Sequence, residues 1–491
     1  MNLRKTAVSG IKWTTIGTIG RSLFQLIQIS ILTRFLPKET FGLVAMALFV
    51  VQFSNIFVDM GMTSAILHRQ NATKNEYSSI YWLNIFISLF LYGILFFGAP
   101  VVARFYEEPE LRLLVPVLGT NLLLMACGRQ HRTIMQKQFQ FKAIAITEMI
   151  SFFIGLIAAT LLAIKNFGVY SLVYSTLLSS FISNSLFLVQ NLRLNPIRFH
   201  FRLKETKPFL KIGGYNMGSQ LIGFFSRNID VLIIGKMLGA ESLGVYSLAK
   251  QVVLKLYSIV NPIIINVLNP ILSSIQKEKE KIKQYYLKVV YLLASLNFPI
   301  YLLIIILSKE ILTILYGADY ITGYLVLSFL AISYGTNTIS NPVGSLQIAT
   351  GRTDIGLKWT ILRVTFVPFI IFFSAKFNIN AVAAAIAILS IALVFPLWWI
   401  QLKPMANIQL KEYLQQFWKP YLLLIIIAAI YMGISQYYEL PFGIIVSTLI
   451  KASIALLMFF GFLWLIDRKR IIALLNLFVS QLKFSTNGNK R

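Results

Sequence analysis

Apolar runs of about 20 residues, each long enough to cross a bilayer as a helix, follow one another along this chain from end to end. Barrel strands would instead alternate apolar and polar residues, which these runs do not. Fourteen runs can be marked, at 13–36, 41–67, 79–103, 111–128, 143–164, 168–192, 213–235, 244–272, 286–307, 321–349, 356–375, 379–402, 419–436 and 443–466. We therefore expect an all-α integral membrane protein with about fourteen transmembrane helices.

Composition agrees with a membrane protein and excludes several other classes. Hydrophobic residues make up 57% of the chain and charged residues 13%, against roughly 25% charged residues in a soluble domain. The net charge of +27 does not indicate nucleic-acid binding, because the basic residues are scattered between apolar runs and form no single stripe. Cys127 is the only cysteine, and His68, His131 and His200 are far apart. We expect no disulfide, no metal site and no cofactor.

The basic residues also predict an orientation. If the N-terminus is cytoplasmic, the connectors on the cytoplasmic side hold most of the 45 Lys and Arg residues, as the positive-inside rule requires. The connector after the fourth run, for example, carries Arg129, Arg132, Lys137 and Lys142. The opposite connectors hold only Arg34, Lys38, Arg104, Arg112, Lys165, Lys236, Lys309 and Lys376. One helix more or fewer would invert every later connector, so the bias supports fourteen crossings with both termini cytoplasmic.

A polar motif at the start of the second run recurs at the start of the eighth. Arg34, Glu39, Thr40 and Gly42 are matched by Lys236, Glu241, Ser242 and Gly244 at a constant offset (Gly244 minus Gly42 is 202 residues). The copies begin six helices apart, an even number, so they share one orientation, as in transporters built from parallel repeats. This indicates two six-helix lobes related by a pseudo-two-fold axis along the membrane normal.

The predicted organisation follows from that repeat. An N-terminal lobe occupies 1–192, and a cytoplasmic amphipathic linker at 193–212 lies on the membrane surface. The C-terminal lobe occupies 213–402, two further helices occupy 403–466, and a basic cytoplasmic tail occupies 467–491. Two lobes about a shared axis leave a cleft between them, where transporter sites usually lie.

Charged residues inside the apolar runs are the candidate site residues. Each costs roughly 3 kcal/mol or more at a helix centre unless it is paired or hydrated. The cations are Arg21, Arg227, Lys250, Lys255, Arg363 and Lys451. We expect Arg21, Arg227, Lys255 and Arg363 to line the cleft and bind an anion such as a diphosphate, because the planar guanidinium can bind two oxygens at once. Lys451 is expected to extend outward to the interface.

Three acids are embedded as well: Asp59, Glu148 and Asp230. Embedded carboxylates can carry a coupling proton or sodium ion, and all three are candidates for that role. Hydrogen bonding between helices is the alternative for Asp59 and Glu148. For Asp230 the alternative is an ion pair with Arg227, which lies three residues earlier on the same helix face.

Three stretches resemble a known family. The stretch 228–249, which contains Asp230, Gly239 and Gly244, resembles the seventh-to-eighth helix signature of Wzx-like polysaccharide flippases in the multidrug/oligosaccharidyl-lipid/polysaccharide (MOP) exporter superfamily. Residues 136–142 resemble that family's loop after helix four, and 349–352 its loop after helix ten. The resemblance implies a V-shaped pair of six-helix lobes that work by alternating access.

The resemblance also implies a function. Such proteins move undecaprenyl-diphosphate-linked oligosaccharides across the bacterial inner membrane for O-antigen, capsule or exopolysaccharide assembly. The implied partners are the lipid-linked substrate, membrane lipids, a polysaccharide polymerase and chain-length proteins. The family supplies no invariant substrate triad, so the site residues rest on charge and depth alone.

Two other classes stay open at this point. A lipid II or multidrug exporter would use the same fold, although multidrug exporters usually carry cations, which a basic interior repels. A membrane polysaccharide polymerase or glycosyltransferase would need a sizeable outer loop with catalytic residues, whereas the outer connectors here are short. No Ser/His/Asp constellation, P-loop or dinucleotide fingerprint occurs in the sequence, which favours a transporter over an enzyme.

Overall fold

The computed structural model describes residues 3–69, 71–193, 195–276, 278–435 and 441–487. Helices are the only regular elements in these ranges. They are α1 (Leu3–Leu32), α2 (Lys38–Asp59), α3 (Met62–His68), α4 (Lys74–Tyr106), α5 (Leu111–Lys137), α6 (Phe141–Ile164), α7 (Tyr170–Leu192), α8 (Leu203–Ser274), α9 (Lys279–Ile306), α10 (Ser308–Tyr316), α11 (Tyr324–Ser340), α12 (Val343–Thr350), α13 (Thr353–Ala375), α14 (Ile379–Ala392), α15 (Val394–Leu397), α16 (Lys403–Ala406), α17 (Leu410–Leu414), α18 (Trp418–Ser435) and α19 (Ile444–Asn487). A 3-10 segment at Ala318–Gly323 and a π-helical turn at Trp398–Leu402 complete the described elements.

Ten helical stretches of the described chain are long and apolar enough to cross a membrane. They are Lys38–His68, Lys74–Tyr106, Leu111–Lys137, Phe141–Ile164, Tyr170–Leu192, Asn216–Ile259, Lys279–Ile306, Thr353–Ala375, Ile379–Ala406 and Ile444–Arg468. The prediction of an all-α, multi-pass membrane protein is confirmed. The number of crossings stays a prediction.

Two helical stretches contain breaks that the apolar pattern does not reveal. The run at 41–67 is divided into α2 and α3, because Met60 and Gly61 both adopt left-handed backbone conformations, with φ of 42° and 66°. The 72-residue stretch α8 contains the seventh and eighth runs, and it is interrupted at Gly239, where φ is 76°. A positive φ favours glycine because it has no Cβ atom.

The two copies of the repeated motif contact each other directly. A Cβ atom added to Gly42 would lie 1.8 Å from the carbonyl oxygen of Ala240. One added to Gly244 would lie 2.0 Å from the carbonyl oxygen of Lys38. Lys38 and Ala240 are themselves matched positions of the motif, so each copy contacts the other through the same two positions. A reciprocal contact of this kind is the pattern of a two-fold interface.

The chain divides into two compact units. The first consists of Met1–Leu248, Leu315–Tyr320 and Thr360–Ala381, and the second of Ala249–Ile314, Ile321–Trp359 and Val382–Arg491. In the first unit α5 packs against α4 and α7, and α6 packs against α1 and α7. In the second unit α9 packs against α11 and α18. The lobe boundaries expected from the sequence stay predictions, and residues 488–491 of the expected tail lie outside the described part.

The expected linker at 193–212 is attached to the first turns of α4. The indole N–H of Trp82 donates to the carbonyl oxygen of Arg198 at 2.9 Å, and the amide of Arg198 donates to Ser78 Oγ at 3.0 Å. Phe199 stacks on the Trp82 ring at a centroid distance of 5.5 Å while remaining 98% exposed. The linker is therefore held by its backbone and presents an aromatic side chain outward. Its place on a membrane surface stays a prediction.

Glu205 fastens this linker through a short chain of hydrogen bonds. The amide of Arg202 donates to Ser79 Oγ at 3.1 Å, and the Ser79 hydroxyl donates to Glu205 Oε2 at 2.7 Å. His200 Nε2 lies 2.9 Å from Glu205 Oε1. The hydrogen bond from Ser79 and the contact with His200 lower the pKa of the Glu205 carboxyl. The carboxylate therefore stabilises the docked linker above the pKa of an unfolded glutamate, about 4.3, and loses this effect as the pH falls through its lower folded value.

Replacing Glu205 with glutamine is expected to loosen the linker already at neutral pH, as acid does for the unmodified chain. Hydrogen–deuterium exchange followed by mass spectrometry should show faster exchange in the peptide that contains Arg198 and Arg202. Glu278→Gln is the matched control, because Glu278 pairs with Lys281 in the second unit. Equal exchange rates in Glu205→Gln and the unmodified chain would contradict this role for Glu205.

Candidate functional site

Five charged side chains form a cluster inside the first unit. They are Arg21 on α1, Asp59 at the end of α2, Arg129 and Arg132 on α5, and Glu148 on α6. We call these five residues the arginine–carboxylate cluster. Three guanidinium groups face two carboxylates, so the cluster carries a net charge of +1 when all five groups are ionised.

Glu148 holds two of the arginines at once. Arg21 Nη1 lies 2.8 Å from Glu148 Oε2, and Arg132 Nε lies 2.8 Å from Glu148 Oε1. The Glu148 side chain is only 10% exposed, whereas the side chains of Arg21 and Arg132 are 30% and 38% exposed. The carboxylate is thus buried between two guanidinium groups that each keep about a third of their surface exposed. Charge-assisted contacts of this length are among the stronger hydrogen bonds in proteins.

Asp59 contacts the third arginine. Arg129 Nη1 lies 3.7 Å from Asp59 Oδ1, and the hydroxyl of Thr63 donates to the same oxygen at 2.6 Å. Arg129 Nη2 donates to Asn55 Oδ1, while the buried Nη1 atom has no hydrogen-bond partner among the described residues. Arg129 and Arg132 lie three residues apart on α5 and so share one helix face. That shared face joins the two halves of the cluster.

Arg21, Asp59 and Glu148 lie within apolar runs, and Arg129 and Arg132 lie in the polar last turns of α5. Arg132 is about 8 Å before the end of α5 at Lys137, and Glu148 is about 10 Å after the start of α6 at Phe141, at 1.5 Å per residue. Residues 138–140 join these two helix ends, so Arg132 and Glu148 lie at similar depth. A bridge between them reduces the cost of burying the charge of Glu148.

Three of the predicted candidates belong to this cluster, and two members were missed. Arg21, Asp59 and Glu148 are predicted from their position inside apolar runs. Arg129 and Arg132 were assigned to a connector because the fourth run ends at 128. The connector begins later than expected, since α5 continues to Lys137, and the side of the membrane on which the two arginines lie stays a prediction. The available signal was the absence of Gly and Pro from 129 to 137, together with the three-residue spacing of the two arginines.

The other predicted residues lie elsewhere. Asp230 is buried on α8, where Tyr246 Oη donates to its Oδ2 at 2.6 Å, and this bond joins the two sides of the break at Gly239. Arg227 and Arg363 belong to the first unit and Lys255 to the second. The convergence of Arg21, Arg227, Lys255 and Arg363 on one cleft stays a prediction, as does an Arg227–Asp230 ion pair.

The expectation that Lys451 extends outward to the interface stays a prediction. Its Nζ atom lies 2.7 Å from Glu310 Oε1, and both side chains are largely buried. The carboxylate on α10 gives the lysine a partner within the second unit. Among the described residues, no group of His, Cys, Asp and Glu is arranged to hold a metal ion.

Comparison with known proteins gives concordant matches. A family described as "Polysaccharide biosynthesis protein" matches residues 31–323. Teichuronic acid biosynthesis protein TuaB of Bacillus subtilis (strain 168) is 30% identical over 439 residues, which cover 88% of this chain and 90% of that protein. Lipopolysaccharide biosynthesis protein WzxC of Escherichia coli (strain K12) is 25% identical over 424 residues, 86% of each chain. The solved structure of the lipid II flippase MurJ in an inward closed conformation has a TM-score of 0.73 at 17% identity, covering 94% of this chain and 100% of that one. At that identity the likeness shows the fold alone.

Proposed function

Because the chain belongs to the polysaccharide biosynthesis protein family, we propose that it flips undecaprenyl-diphosphate-linked oligosaccharides across the bacterial inner membrane for surface polysaccharide assembly. This membership confirms the resemblance to Wzx-like exporters. The matched relatives are named for the biosynthesis of teichuronic acid and lipopolysaccharide, which supports a polysaccharide precursor as the cargo. The proposed role is that of a transporter, with no catalytic step.

One observation carries the choice of substrate. Two guanidinium groups, those of Arg21 and Arg132, converge on a single buried carboxylate inside apolar helices. A third, that of Arg129, is balanced by Asp59, so the excess positive charge of the cluster lies where two arginines share Glu148. Because each embedded charge costs several kcal/mol, an excess cation at this depth favours an anionic guest. A diphosphate supplies several oxygens of the kind that arginine binds bidentately.

The proposed architecture adds the number of crossings, their orientation and the arrangement of the lobes to the described helices. It consists of fourteen crossings with both termini cytoplasmic and two six-helix lobes that alternate between inward-open and outward-open states. Within the described residues the apolar runs fall on helical segments, and the reciprocal contact of Gly42 and Gly244 supports the repeat. Arg227, Lys255 and Arg363 would then extend the cationic surface along the cleft that Arg21 begins.

The proposal includes partners and an energy source. A proton or sodium gradient would drive transport, with Asp59, Glu148 and Asp230 as the coupling candidates and no bound cofactor. Membrane lipids surround the protein, and a polysaccharide polymerase and chain-length proteins would use its product. The two carboxylates beside arginines favour coupling at the cluster, because a carboxylate next to a displaceable cation can change its protonation when that cation moves.

Deleting the gene in the bacterium that carries it tests this function. We expect lipid-linked oligosaccharides to accumulate on the cytoplasmic face, surface polysaccharide to fall below detection, and a plasmid copy of the gene to restore both. Mass spectrometry of extracted lipids identifies what accumulates. Accumulation of lipid II in place of oligosaccharide units would make this chain a lipid II exporter, and unchanged surface polysaccharide with no trapped intermediate would overturn the proposal.

A further inference from the structure

We propose that Glu148 is a resident counter-ion that occupies the place of the substrate diphosphate, and that Arg132 and Arg129 join Arg21 in binding the diphosphate once Glu148 is displaced. The proposal rests on the proposed function and deepens it. It adds two ligand-binding residues from α5 and a competitor from α6 to the cations expected from the sequence.

The geometry of Glu148 supports this role. Its two oxygens are divided between two arginines from different helices, each at 2.8 Å. The guanidinium groups of Arg21 and Arg132 are therefore held on either side of a space as wide as one carboxylate. A phosphate group presents its oxygens with similar spacing, and arginine binds carboxylate and phosphate in the same planar, bidentate manner. A diphosphate has more oxygens than a carboxylate. It can therefore accept hydrogen bonds from both guanidinium groups and still have oxygens free to accept others.

The burial of the cluster indicates a direction of approach. The two arginines are about a third exposed, whereas Glu148 is nearly covered. A ligand that enters the cluster thus meets the guanidinium groups first. Arg129 lies on the same face of α5 as Arg132, and its Nη1 atom is a buried donor with no hydrogen-bond partner in the described chain. That donor is suited to a ligand oxygen which Glu148 does not provide.

The charges of the neighbouring helices leave Glu148 as the main competitor. Helix α7, which packs against α6, contains no charged residue. Asp59 is the only other carboxylate in the cluster, and it contacts Arg129. Removing the charge of Glu148 therefore raises the net charge of the cluster from +1 to +2 and frees two guanidinium groups. The binding of an anion should become tighter by about tenfold, the effect of one close unit charge at a partly solvated site.

The test measures binding of farnesyl diphosphate and of inorganic pyrophosphate to the purified full-length protein in lipid nanodiscs. Glu148→Gln keeps the shape of the side chain and is expected to bind both probes about tenfold more tightly than the unmodified protein. Arg132→Gln is expected to bind them at least tenfold more weakly, with partial recovery in Arg132→Lys. Glu310→Gln is the matched control, because it removes a buried carboxylate that pairs with Lys451 in the second unit, and it should bind as the unmodified protein does.

Each outcome decides the proposal. Unchanged or weaker binding by Glu148→Gln would overturn the counter-ion role, and unchanged binding by Arg132→Gln would remove this arginine from the site. Should Glu148→Gln fail to fold, Glu148→Asn replaces it, because it removes the same charge with a shorter side chain and should also bind more tightly. Tight binding of farnesyl diphosphate without pyrophosphate binding would place the contact on the lipid chain and contradict an anion site. The deletion experiment does not depend on any of these results, so the proposed function can stand where this inference fails.

Discussion

Replacing Asp59 with alanine is expected to destabilise the first unit by about 3–5 kcal/mol, the usual effect of removing one partner from a buried ion pair. Arg129 would keep its bond to Asn55 but lose the carboxylate that balances its charge. Because the Arg129 side chain is only 14% exposed, it has little water to replace that carboxylate. Thermal denaturation of the purified protein, followed by the monodisperse fraction after heating, should show a large fall in the midpoint.

A second substitution separates this effect from a general loss of packing. The double variant Asp59→Ala/Arg129→Met removes both charges and should recover most of the lost stability, since an apolar side chain of similar length needs no counter-charge. Equal instability of the single and double variants would show that Asp59 acts through Thr63 or through its helix position, and not through Arg129.

Replacing Gly42 with leucine is the second change with a large expected effect. Its first side-chain carbon would lie 1.8 Å from the carbonyl oxygen of Ala240, and a backbone atom cannot move aside as a flexible side chain can. The start of α2 would have to separate from the motif at Gly239 and Gly244. Overpacking of this kind costs about 3 kcal/mol, and it should also reduce export, because the two motif copies meet at this contact.

The matched control for Gly42→Leu is Gly93→Leu. Gly93 lies on α4, where a Cβ atom added to it would have no atom within 4 Å apart from the neighbouring backbone of its own helix, so a leucine there should change stability by less than about 0.5 kcal/mol. The same heating assay and the level of surface polysaccharide compare the two variants. Indistinguishable results for Gly42→Leu and Gly93→Leu would contradict the close approach of the two motif copies.

The sequence was sufficient to predict where the helices lie. It was insufficient to predict where they end and which helices pack against each other. An apolar run of membrane length has few alternatives to a helix, so the segments could be marked from composition alone. The ends were less certain: the fourth run was ended at 128, before a polar stretch, whereas α5 continues through Arg129 and Arg132 because nothing in the backbone interrupts it. The break at Met60 and Gly61 was missed because it lies inside a run that is long enough to cross a membrane.

The candidate site was predicted as a set of charges and not as a geometry. The cost of burying a charge identified Arg21, Asp59 and Glu148, because that cost depends only on depth. Which charge meets which depends on the packing of α1 against α6 and of α2 against α5, and apolar helices carry little pattern that specifies a neighbour. For the same reason the sequence did not predict that Lys451 pairs with Glu310, which lies far away in the sequence.

The repeat predicted that two similar motifs, far apart in the chain, belong to equivalent helices. It did not predict that the motifs would touch. Gly42 approaches Ala240, and Gly244 approaches Lys38. This close backbone packing explains why both positions are glycine. Neither glycine has a positive φ, so glycine is required here for its missing side chain and not for its backbone conformation.

Transport by the purified protein in liposomes measures the flipping of the substrate itself. An undecaprenyl-diphosphate-linked oligosaccharide labelled on its sugar with a fluorophore is placed in both leaflets, and dithionite, which does not cross the bilayer, is added outside. We predict that the unmodified protein exposes the inner-leaflet label to bleaching, and that Arg21→Ala and Arg132→Gln slow this exposure at least tenfold. Bleaching that stops at the outer-leaflet label, as in protein-free liposomes, would contradict the account.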